Sequence, residues 1–494
     1  MVNLAQLIRT AASDNPDARF GSFEQQDRLE GGLRRAEKTA ENLQAAGLGR
    51  GDIVAIIGTN SASYIVAWMA CQLSGIQTAL INPGYPDAFL STMLDDIAPR
   101  AILWVSREPG SILDRALPQF DVSHAWAGEI ETLREARASP ANDCDGADCE
   151  EAEIAAYLHT SGTSGNPKFC ALSHGYFLQL GRYFSDVMAF TKYDTVFNPL
   201  PLFHINPMGN GVVGALSGSA GFLTTEKFTT DAFWPAVKRH DVTALILHAP
   251  PVSMLMARTT DDDARGHSVR VGFACTPPFL RKFGVPLGVG GYGSTEAGGF
   301  CHSWKFRPGD TDFPDEGALH LAGQSRHDLD WKIGDGGEIL VREKVPNVLL
   351  SGYARQGEIA PASGADGWFH TGDRGRLDAT GNLIFIERIS ESIRVNAEYV
   401  PIDFVEGRLK GVPSLDDFAL WRLDSTTRGH EPVIYTVSNT VVQDDVRAAI
   451  ADLPRYMHPV KVIRIAEIPR DSGVGKVRRR LLAEQPVLDV QALS

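Results

Sequence analysis

The chain has 494 residues, of which 43% are hydrophobic and 22% charged, a balance that excludes disordered and fibrous architectures. Its formal net charge of -14 argues against a protein that binds nucleic acid by neutralising many phosphates. Six scattered cysteines do not form a disulfide framework, so we expect a reducing, cytoplasmic compartment. Residues 1–17 lack the apolar core of a secretory signal, and no run reaches the roughly 18 to 20 apolar residues of a membrane span.

The first predicted elements form a strand–helix–strand unit. Residues 53–58, I-V-A-I-I-G, have the unbroken apolar character of a buried strand, and residues 77–81 form a second strand. Between them, residues 61–74 predict an apolar helix that ends at Gly75. This order favours a parallel sheet covered by helices.

The same alternation returns at residues 230–249, where a helix over 230–240 precedes a core strand over 242–249. Several such units predict a large α/β body of helix-covered β-sheets. The last hundred residues differ, because they predict helices over 401–410 and 443–453 and strands over 432–438 and 461–467. We therefore expect a large N-terminal domain over 1–387 and a small, mobile α+β C-terminal lobe over 388–494.

The strongest local motif is Y-L-H-T-S-G-T-S-G-N-P-K over residues 157–168. Glycines allow backbone N–H groups to approach phosphate oxygens, hydroxyls add hydrogen bonds and the lysine adds positive charge. It is not a Walker loop, because no G-K-[ST] ends it. The residues expected to bind phosphate are Thr160, Ser161, Gly162, Thr163, Ser164, Gly165 and Lys168.

This loop resembles the signature of the adenylate-forming superfamily of acyl-CoA synthetases, peptide-synthetase adenylation domains and luciferases. Four further segments resemble that family's motifs in its own order: G-Y-G-S-T-E at 291–296, G-E-I-L-V-R-E at 337–343, G-W-F-H-T-G-D at 367–373 and P-R-D-S-G-V-G-K at 469–476. Carnitine and crotonobetaine CoA ligases look nearest. The resemblance implies an ATP- and Mg²⁺-dependent ligase that forms AMP and pyrophosphate.

The resemblance also implies roles for single residues. Tyr292 stacks on adenine beside Gly293, Ser294 and Thr295, and Asp373 binds the ribose hydroxyls. Glu296 and Thr163 hold the metal ion, while Arg388 and the catalytic Lys476 come from the hinge and the C-terminal loop. These roles fit the chemistry, because attack of a carboxylate on the α-phosphate requires the polyphosphate charge to be neutralised.

Two further segments resemble the walls of the acid pocket. In N-P-L-P-L-F-H-I-N-P-M-G, residues 198–209, the resemblance assigns Phe203, His204 and Asn206 to that pocket, with a catalytic role for His204. F-A-C-T-P-P at 273–278 replaces a glycine-rich wall and places Ala274 and Cys275 beside Gly291, which favours a small or flat acid. A nucleophilic role for Cys275 is disfavoured, because no paired base is visible.

The acceptor is where the chain departs from the family. Asn396 and Ala397 occupy positions where thioester-forming members usually carry two glycines. We expect adenylation of a small or aromatic carboxylic acid followed by transfer to CoA. The alternatives are an amine or carrier-protein acceptor, and a diazotase that activates nitrite for transfer to an aryl amine. A non-enzymatic relative is disfavoured, because Lys168, Glu296, Asp373, Arg388 and Lys476 are all present.

Overall fold

The computed structural model describes residues 2–106, 109–127, 129–134, 146–160, 168–313, 320–388, 393–396, 398–400, 402–470, 477 and 479–493. Within these ranges, none of the helices combines the length and the apolar character required to cross a bilayer. The expected roles of Ser161, Gly162, Thr163, Ser164, Gly165 and Lys476 fall outside the described residues.

The helices and strands alternate along most of the chain. The first stretch contains α1 (Leu4–Asp14), β1 (Arg19–Ser22), β2 (Gln26–Arg28), α2 (Leu29–Ala45), β3 (Ile53–Gly58), α3 (Ala62–Leu73), β4 (Gln77–Ile81), α4 (Asp87–Ile97), β5 (Ala101–Val105), β6 (Gln119–Asp121), β7 (Glu131–Arg134) and β8 (Ile154–Thr160). The second stretch contains β9 (Lys168–Ser173), α5 (His174–Met188), β10 (Thr195–Phe197), α6 (Gly214–Ser217), β11 (Gly221–Thr224), α7 (Thr230–Arg239), β12 (Ala244–Ile246), α8 (Ala249–Arg258), α9 (Asp261–Ala264), β13 (Val271–Phe273), α10 (Pro277–Phe283), β14 (Gly288–Tyr292), β15 (His302–Phe306), β16 (Leu321–Ser325), β17 (Leu329–Ile333), β18 (Glu338–Glu343), β19 (Gly352–Arg355), β20 (Glu358–Ala360), β21 (Phe369–Leu377) and β22 (Leu383–Arg388). The last stretch contains β23 (Ile393–Val395), β24 (Glu398–Val400), α11 (Ile402–Leu409), β25 (Phe418–Ser425), β26 (Gly429–Thr436), α12 (Gln443–Ala449), β27 (Lys461–Ile465) and β28 (Val487–Ala492).

Two large sheets form the body. In the described residues, one sheet has the order β20-β19-β9-β8-β4-β3-β5-β6-β7 and contains the predicted strand–helix–strand unit. Its strands β3 and β4 pair in parallel, and α3 begins after Ser61, whose side chain accepts a hydrogen bond from the backbone N–H of Tyr64. All twelve residues of α3 are buried, which explains its apolar composition. The prediction of this unit is confirmed.

The other large sheet has the order β17-β18-β21-β22-β16-β15-β14-β13-β12-β10-β11-β1-β2 among the described strands. Strands β10, β12, β13 and β14 run parallel, and β15 and its neighbours continue the sheet antiparallel. The predicted helix over 230–240 is confirmed as α7. The strand expected over 242–249 is shorter, because α8 begins at Ala249 with prolines in its first turn.

The C-terminal lobe contains a third, smaller sheet with the order β24-β23-β26-β27-β28, to which β25 adds by pairing with β26. All four elements expected here are present. The long β25–β26 hairpin was not predicted, and it lengthens the strand expected over 432–438 towards Gly429. The expected α/β body with a small α+β lobe is confirmed as the fold class. We propose that the linker lies between Arg388 and Ile393, which belong to different sheets.

One hydrophobic cluster crosses from the body to the lobe. Tyr85 and Phe89 of the body share it with Ile402 and Val405 of the lobe. The rings of Phe89 and Phe404 lie 5.0 Å apart between their centroids. The lobe is therefore seated on the body through buried apolar contacts.

A buried ion pair fixes the loop that follows β14. Arg326 binds Asp328 through two hydrogen bonds of 2.6 Å, and both side chains are almost completely buried. Arg326 also donates to the backbone carbonyls of Gly298 and Phe300. Because a buried charge is costly without a partner, this pair is a strong constraint on residues 293–300.

We predict that Asp328→Asn lowers the free energy of unfolding by about 3 kcal/mol, because it leaves the Arg326 guanidinium buried without a counter-charge. The matched control is Asp330→Asn, which removes the partner of the half-exposed Arg342 and costs less than about 1 kcal/mol. Urea unfolding followed by tryptophan fluorescence measures both. Equal losses in the two variants would contradict the constraint assigned to Arg326.

Candidate active site

The candidate site lies where the carboxyl ends of parallel strands from both large sheets meet. Asn198, His248 and Ala274 follow the ends of β10, β12 and β13, and Tyr292 ends β14. From the other sheet, Asn82 follows β4 and Thr160 ends β8. Ligand sites of open α/β sheets form at such strand ends, since loops and side chains from neighbouring strands converge there.

Tyr292 and Asp373 are in direct contact. The Tyr292 hydroxyl donates to Asp373 Oδ2 at 2.7 Å, and both residues are buried. Burial and the neighbouring carboxylate raise the pKa of Tyr292 well above its usual value, so the phenol keeps its proton. The ring also stacks on Phe385, with 5.8 Å between centroids. The structure thus brings together Tyr292, which is expected to stack on the adenine base, and Asp373, which is expected to bind the ribose hydroxyls.

Thr160 and Glu296 form a second pair. The Thr160 hydroxyl donates to Glu296 Oε1 at 2.8 Å, across two sheets and 136 residues of sequence. Glu296 lies in the loop after β14, where the backbone N–H of Ala297 and that of Gly299 donate to the carbonyl of Ser294. The carbonyl of Thr295 accepts from the Tyr176 hydroxyl. The metal-binding candidate is therefore held by a well-connected loop.

Gly293 allows this loop to fold tightly. A Cβ atom at this position would lie 2.4 Å from the carbonyl oxygen of Gly299, so a larger residue would push the loop open.

Lys168, the last residue of the phosphate motif, begins β9 and is paired in register with Thr160. Its Nζ lies 4.9 Å from the centre of the Tyr353 ring.

A chain of polar side chains lines the expected acid pocket. Asn198 Nδ2 donates to Asn206 Oδ1 at 3.0 Å, and Asn206 Nδ2 lies 3.1 Å from His248 Nε2. Burial, with further effects of Arg394 and His204, lowers the pKa of His248 to about 4. His248 is therefore neutral near pH 7 and can accept the Asn206 hydrogen bond. Sequence reasoning missed His248, although its place after a core strand could have indicated it.

Aromatic contacts surround His204. Phe203 is buried, and its ring centre lies 4.6 Å from that of His204. His159, inside the phosphate motif but not predicted as a site residue, lies 6.0 Å from each of these rings. Burial lowers the pKa of His159 to about 3, with a smaller effect from His204. His159 is thus an uncharged imidazole that packs beside Phe203 and His204.

Two expected pocket residues have different surroundings. Ala274 adopts a left-handed backbone with φ of 55° and packs against the main core. The Cys275 thiol is fully buried in a separate cluster with Trp234 and Phe279, beside α10. The thiol packs beside α10 whereas Ala274 packs against the main core, and the pocket role of Cys275 stays a prediction.

Glycines at 290 and 291 admit large neighbours. A Cβ at Gly291 would lie 2.4 Å from the Phe300 ring, and one at Gly290 would lie 2.3 Å from Trp304 Nε1. Phe300 therefore occupies the space beside Gly291 in the expected pocket wall.

Arg388, expected to bind the nucleotide, is described by its backbone, which pairs in register with that of Asp373.

Comparisons with known proteins give one consistent result. A family model described as AMP-binding enzyme matches residues 32–354. Indoleacetate–CoA ligase of Aromatoleum aromaticum is 29% identical over 92% of each chain, and 4-coumarate–CoA ligase 3 of Oryza sativa is 25% identical over 92% of this chain and 85% of its own.

Solved structures agree on the fold. A double mutant of o-succinylbenzoate CoA synthetase from Bacillus subtilis, bound to the product analogue OSB-NCoA, has a TM-score of 0.81 at 22% identity over 100% of both chains. The same enzyme with its acyl-adenylate OSB-AMP has a TM-score of 0.67 at 22% identity over 98% of both chains. Because the family model spans well over half of the sequence, the chain belongs to the AMP-binding enzyme family and is an ATP-dependent, adenylate-forming ligase.

Proposed function

We propose that the protein converts a small or aromatic carboxylic acid into its adenylate, using ATP and Mg²⁺, and transfers the acyl group to CoA. The observation that carries this proposal is that the Tyr292–Asp373 and Thr160–Glu296 pairs both use residues of one short segment, 292–296. The names of the indoleacetate and 4-coumarate CoA ligases support both an aromatic acid and CoA as acceptor.

The nucleotide is bound by groups of two kinds. Asp373 accepts hydrogen bonds from the two ribose hydroxyls, and the Tyr292 hydroxyl holds that carboxylate in a fixed orientation. The Tyr292 ring offers a face on which the base stacks. Lys168 and the hydroxyls of residues 160–165 bind the phosphates, and Lys476 and Arg388 complete the proposed site.

Thr160 and Glu296 fit a magnesium ion. A carboxylate oxygen and a hydroxyl oxygen are hard ligands of the kind that Mg²⁺ prefers, and their 2.8 Å contact brings both to one point. Thr163 is the third proposed ligand. When bound, Mg²⁺ neutralises charge on the phosphates, while Glu296 and Thr160 orient the nucleotide for attack on its α-phosphate.

The aromatic rings behind Gly291 favour a short acid. Phe184, Phe273 and Phe300 pack edge to face, with centroids 5.1 to 5.5 Å apart. His248 lies 6.3 Å from Phe273 between ring centroids, and His248 with its partner Asn206 gives this wall a polar edge. A flat ring or a short chain fits such a wall, whereas a long acyl chain would need these packed rings to move.

Pyrophosphate release tests the function directly. The panel contains acetate, crotonate, benzoate, phenylacetate, cinnamate and nitrite, each alone, with CoA and with an aryl amine. We expect release with the small or aromatic acids and a thioester when CoA is present. An amide made from the amine without CoA, or an azo or diazonium product from nitrite, would overturn the CoA assignment in favour of those acceptors.

We predict that Glu296→Gln slows adenylate formation by about 100-fold or more and raises the Mg²⁺ concentration needed for half-maximal rate, because the metal site loses its charge. ATP–pyrophosphate exchange over a Mg²⁺ titration measures both effects. Glu358→Gln, on the exposed strand β20, is the control and keeps the wild-type response. An unchanged Mg²⁺ requirement in Glu296→Gln would refute the proposed ligand.

We predict that Asp373→Asn raises the KM for ATP by about 10- to 100-fold, since a hydrogen bond to a charged group contributes about 1.5 to 3 kcal/mol. The KM for the acid should change little, because Asp373 contacts the nucleotide side of the site. Steady-state kinetics with each substrate varied in turn give the comparison. A parallel rise in both constants would point to a general loss of structure instead.

A further inference from the structure

His248 lines the cleft at the carboxyl ends of the parallel strands. It lies just after β12, and its ring meets that of Phe273 edge to face, with 6.3 Å between centroids. The residues before it, Ala244–Leu247, are buried, whereas His248 keeps a partial exposure. Burial nevertheless lowers its pKa to about 4. A side chain that is enclosed by protein and still partly exposed faces an internal cleft.

A backbone N–H fixes the orientation of the two asparagines that reach His248. The N–H of Leu200 donates to Asn198 Oδ1 at 3.0 Å, so the Asn198 amide group turns its Nδ2 away. That Nδ2 donates to Asn206 Oδ1 at 3.0 Å, and Asn206 Nδ2 therefore faces His248 Nε2 at 3.1 Å. We call Asn198 and Asn206 the asparagine pair. Neither amide group can be reversed without placing two donors or two acceptors against each other.

The asparagine pair decides which ring nitrogen of His248 carries the proton. An amide N–H only donates, so Nε2 accepts and the single proton of the neutral ring lies on Nδ1. A pKa of about 4 keeps the ring neutral in any assay near pH 7. His248 therefore offers a fixed N–H donor at Nδ1.

The structure shows no protein acceptor for this donor. His248 precedes the first residue of α8, yet its side chain makes no hydrogen bond to that helix. The first turn of α8 contains Pro250 and Pro251, which have no N–H to attract the imidazole. Within the part of the chain that the structure describes, the ring has its hydrogen bond to Asn206 and no other. A donor in such a position meets water or a ligand, because leaving it unpaired is costly.

The surroundings of His248 select the kind of group that it binds. An N–H donor requires an acceptor such as an oxygen atom. The positive charge of Arg394 acts on the same ring, which disfavours an ammonium group beside it. The rings of Phe273 and Phe300, 5.2 Å apart, are apolar and pack against the carbon skeleton of an acid.

We propose that His248 selects an acid that carries an oxygen acceptor, such as a hydroxyl group, in addition to its carboxyl group, and that Nδ1–H binds this oxygen. The asparagine pair is the positioning element, because it fixes the tautomer of the ring. This inference rests on the proposed function and narrows its substrate class. An acid without the oxygen leaves the donor unpaired and is used less well.

Matched derivatives of one parent acid test this selection. The parent is the carboxylic acid of the panel that gives the fastest ATP–pyrophosphate exchange, and each carbon of its ring or chain carries a hydroxyl, a methyl or an amino group in turn. The methyl group matches the hydroxyl in size, and the amino group of an aryl amine donates but accepts poorly. At one position we expect kcat/KM for the hydroxy acid to exceed those for the methyl and amino acids by about 10-fold or more.

Two variants separate the donor from its positioning. His248→Phe keeps a ring and removes the donor, so kcat/KM for the hydroxy acid should fall about 10-fold while that for the methyl acid changes less than about threefold. Asn206→Leu removes the partner of Nε2 and allows the proton to move to that nitrogen. The ratio of hydroxy to amino acid should then fall, a change in selectivity that a merely structural role would not produce.

The control is His327→Phe, the same substitution at an exposed position, which should leave every ratio unchanged. A methyl acid that equals or exceeds its hydroxy counterpart at every position would overturn the inference from the wild type alone, even if His248→Phe does not fold. A hydroxyl preference that survives in His248→Phe would overturn it as well. Absence of exchange with every carboxylic acid would instead contradict the proposed function.

Discussion

The buried guanidinium of Arg326 is the constraint on which the candidate site depends. It holds the carbonyls of Gly298 and Phe300 and is neutralised by Asp328, so the loop after β14 has little freedom. Tyr292 enters this loop and Glu296 lies within it. The first reaches Asp373 and the second reaches Thr160. Both halves of the nucleotide site are therefore positioned by one loop.

The site is acidic although its nucleotide is a polyanion. Glu296 and Asp373 are both buried, and Lys168 is the described basic residue of the phosphate motif. In the proposed function each acid has a specific partner, a metal ion for Glu296 and the two ribose hydroxyls for Asp373. Charge on the phosphates is then met by Mg²⁺ and a few lysines, and the net charge of -14 is no obstacle.

The sequence predicted those features whose signal is local. The unit over residues 53–81 was predicted correctly because buried strands and helices have unbroken apolar runs. The family was identified because several motifs resemble its own, and the roles of single residues in nucleotide binding stay predictions. The contact between Asn82 and Glu398 has no such signal, since it depends on how two sheets and a lobe meet. His159 and His248 were missed although each has a local signal, since His159 lies inside the phosphate motif and His248 follows a core strand.

Backbone conformation is another feature that the sequence did not reveal. Ala274 has a left-handed φ of 55° at the end of β13, and the thiol of the next residue, Cys275, packs in a separate cluster. Asn396 has φ of 51° at a position where the resemblance predicts glycine. Such backbone angles are invisible in composition and periodicity.

The apolar contact between the body and the C-terminal lobe has a thermodynamic consequence. Tyr85, Phe89, Ile402 and Phe404 are packed together, so any motion that lifts the lobe exposes this surface to water. Exposure of apolar surface carries a positive heat-capacity change. If lifting the lobe limits turnover, the Eyring plot of the steady-state rate will therefore be curved, and the curvature will measure how much of this contact opens in each cycle.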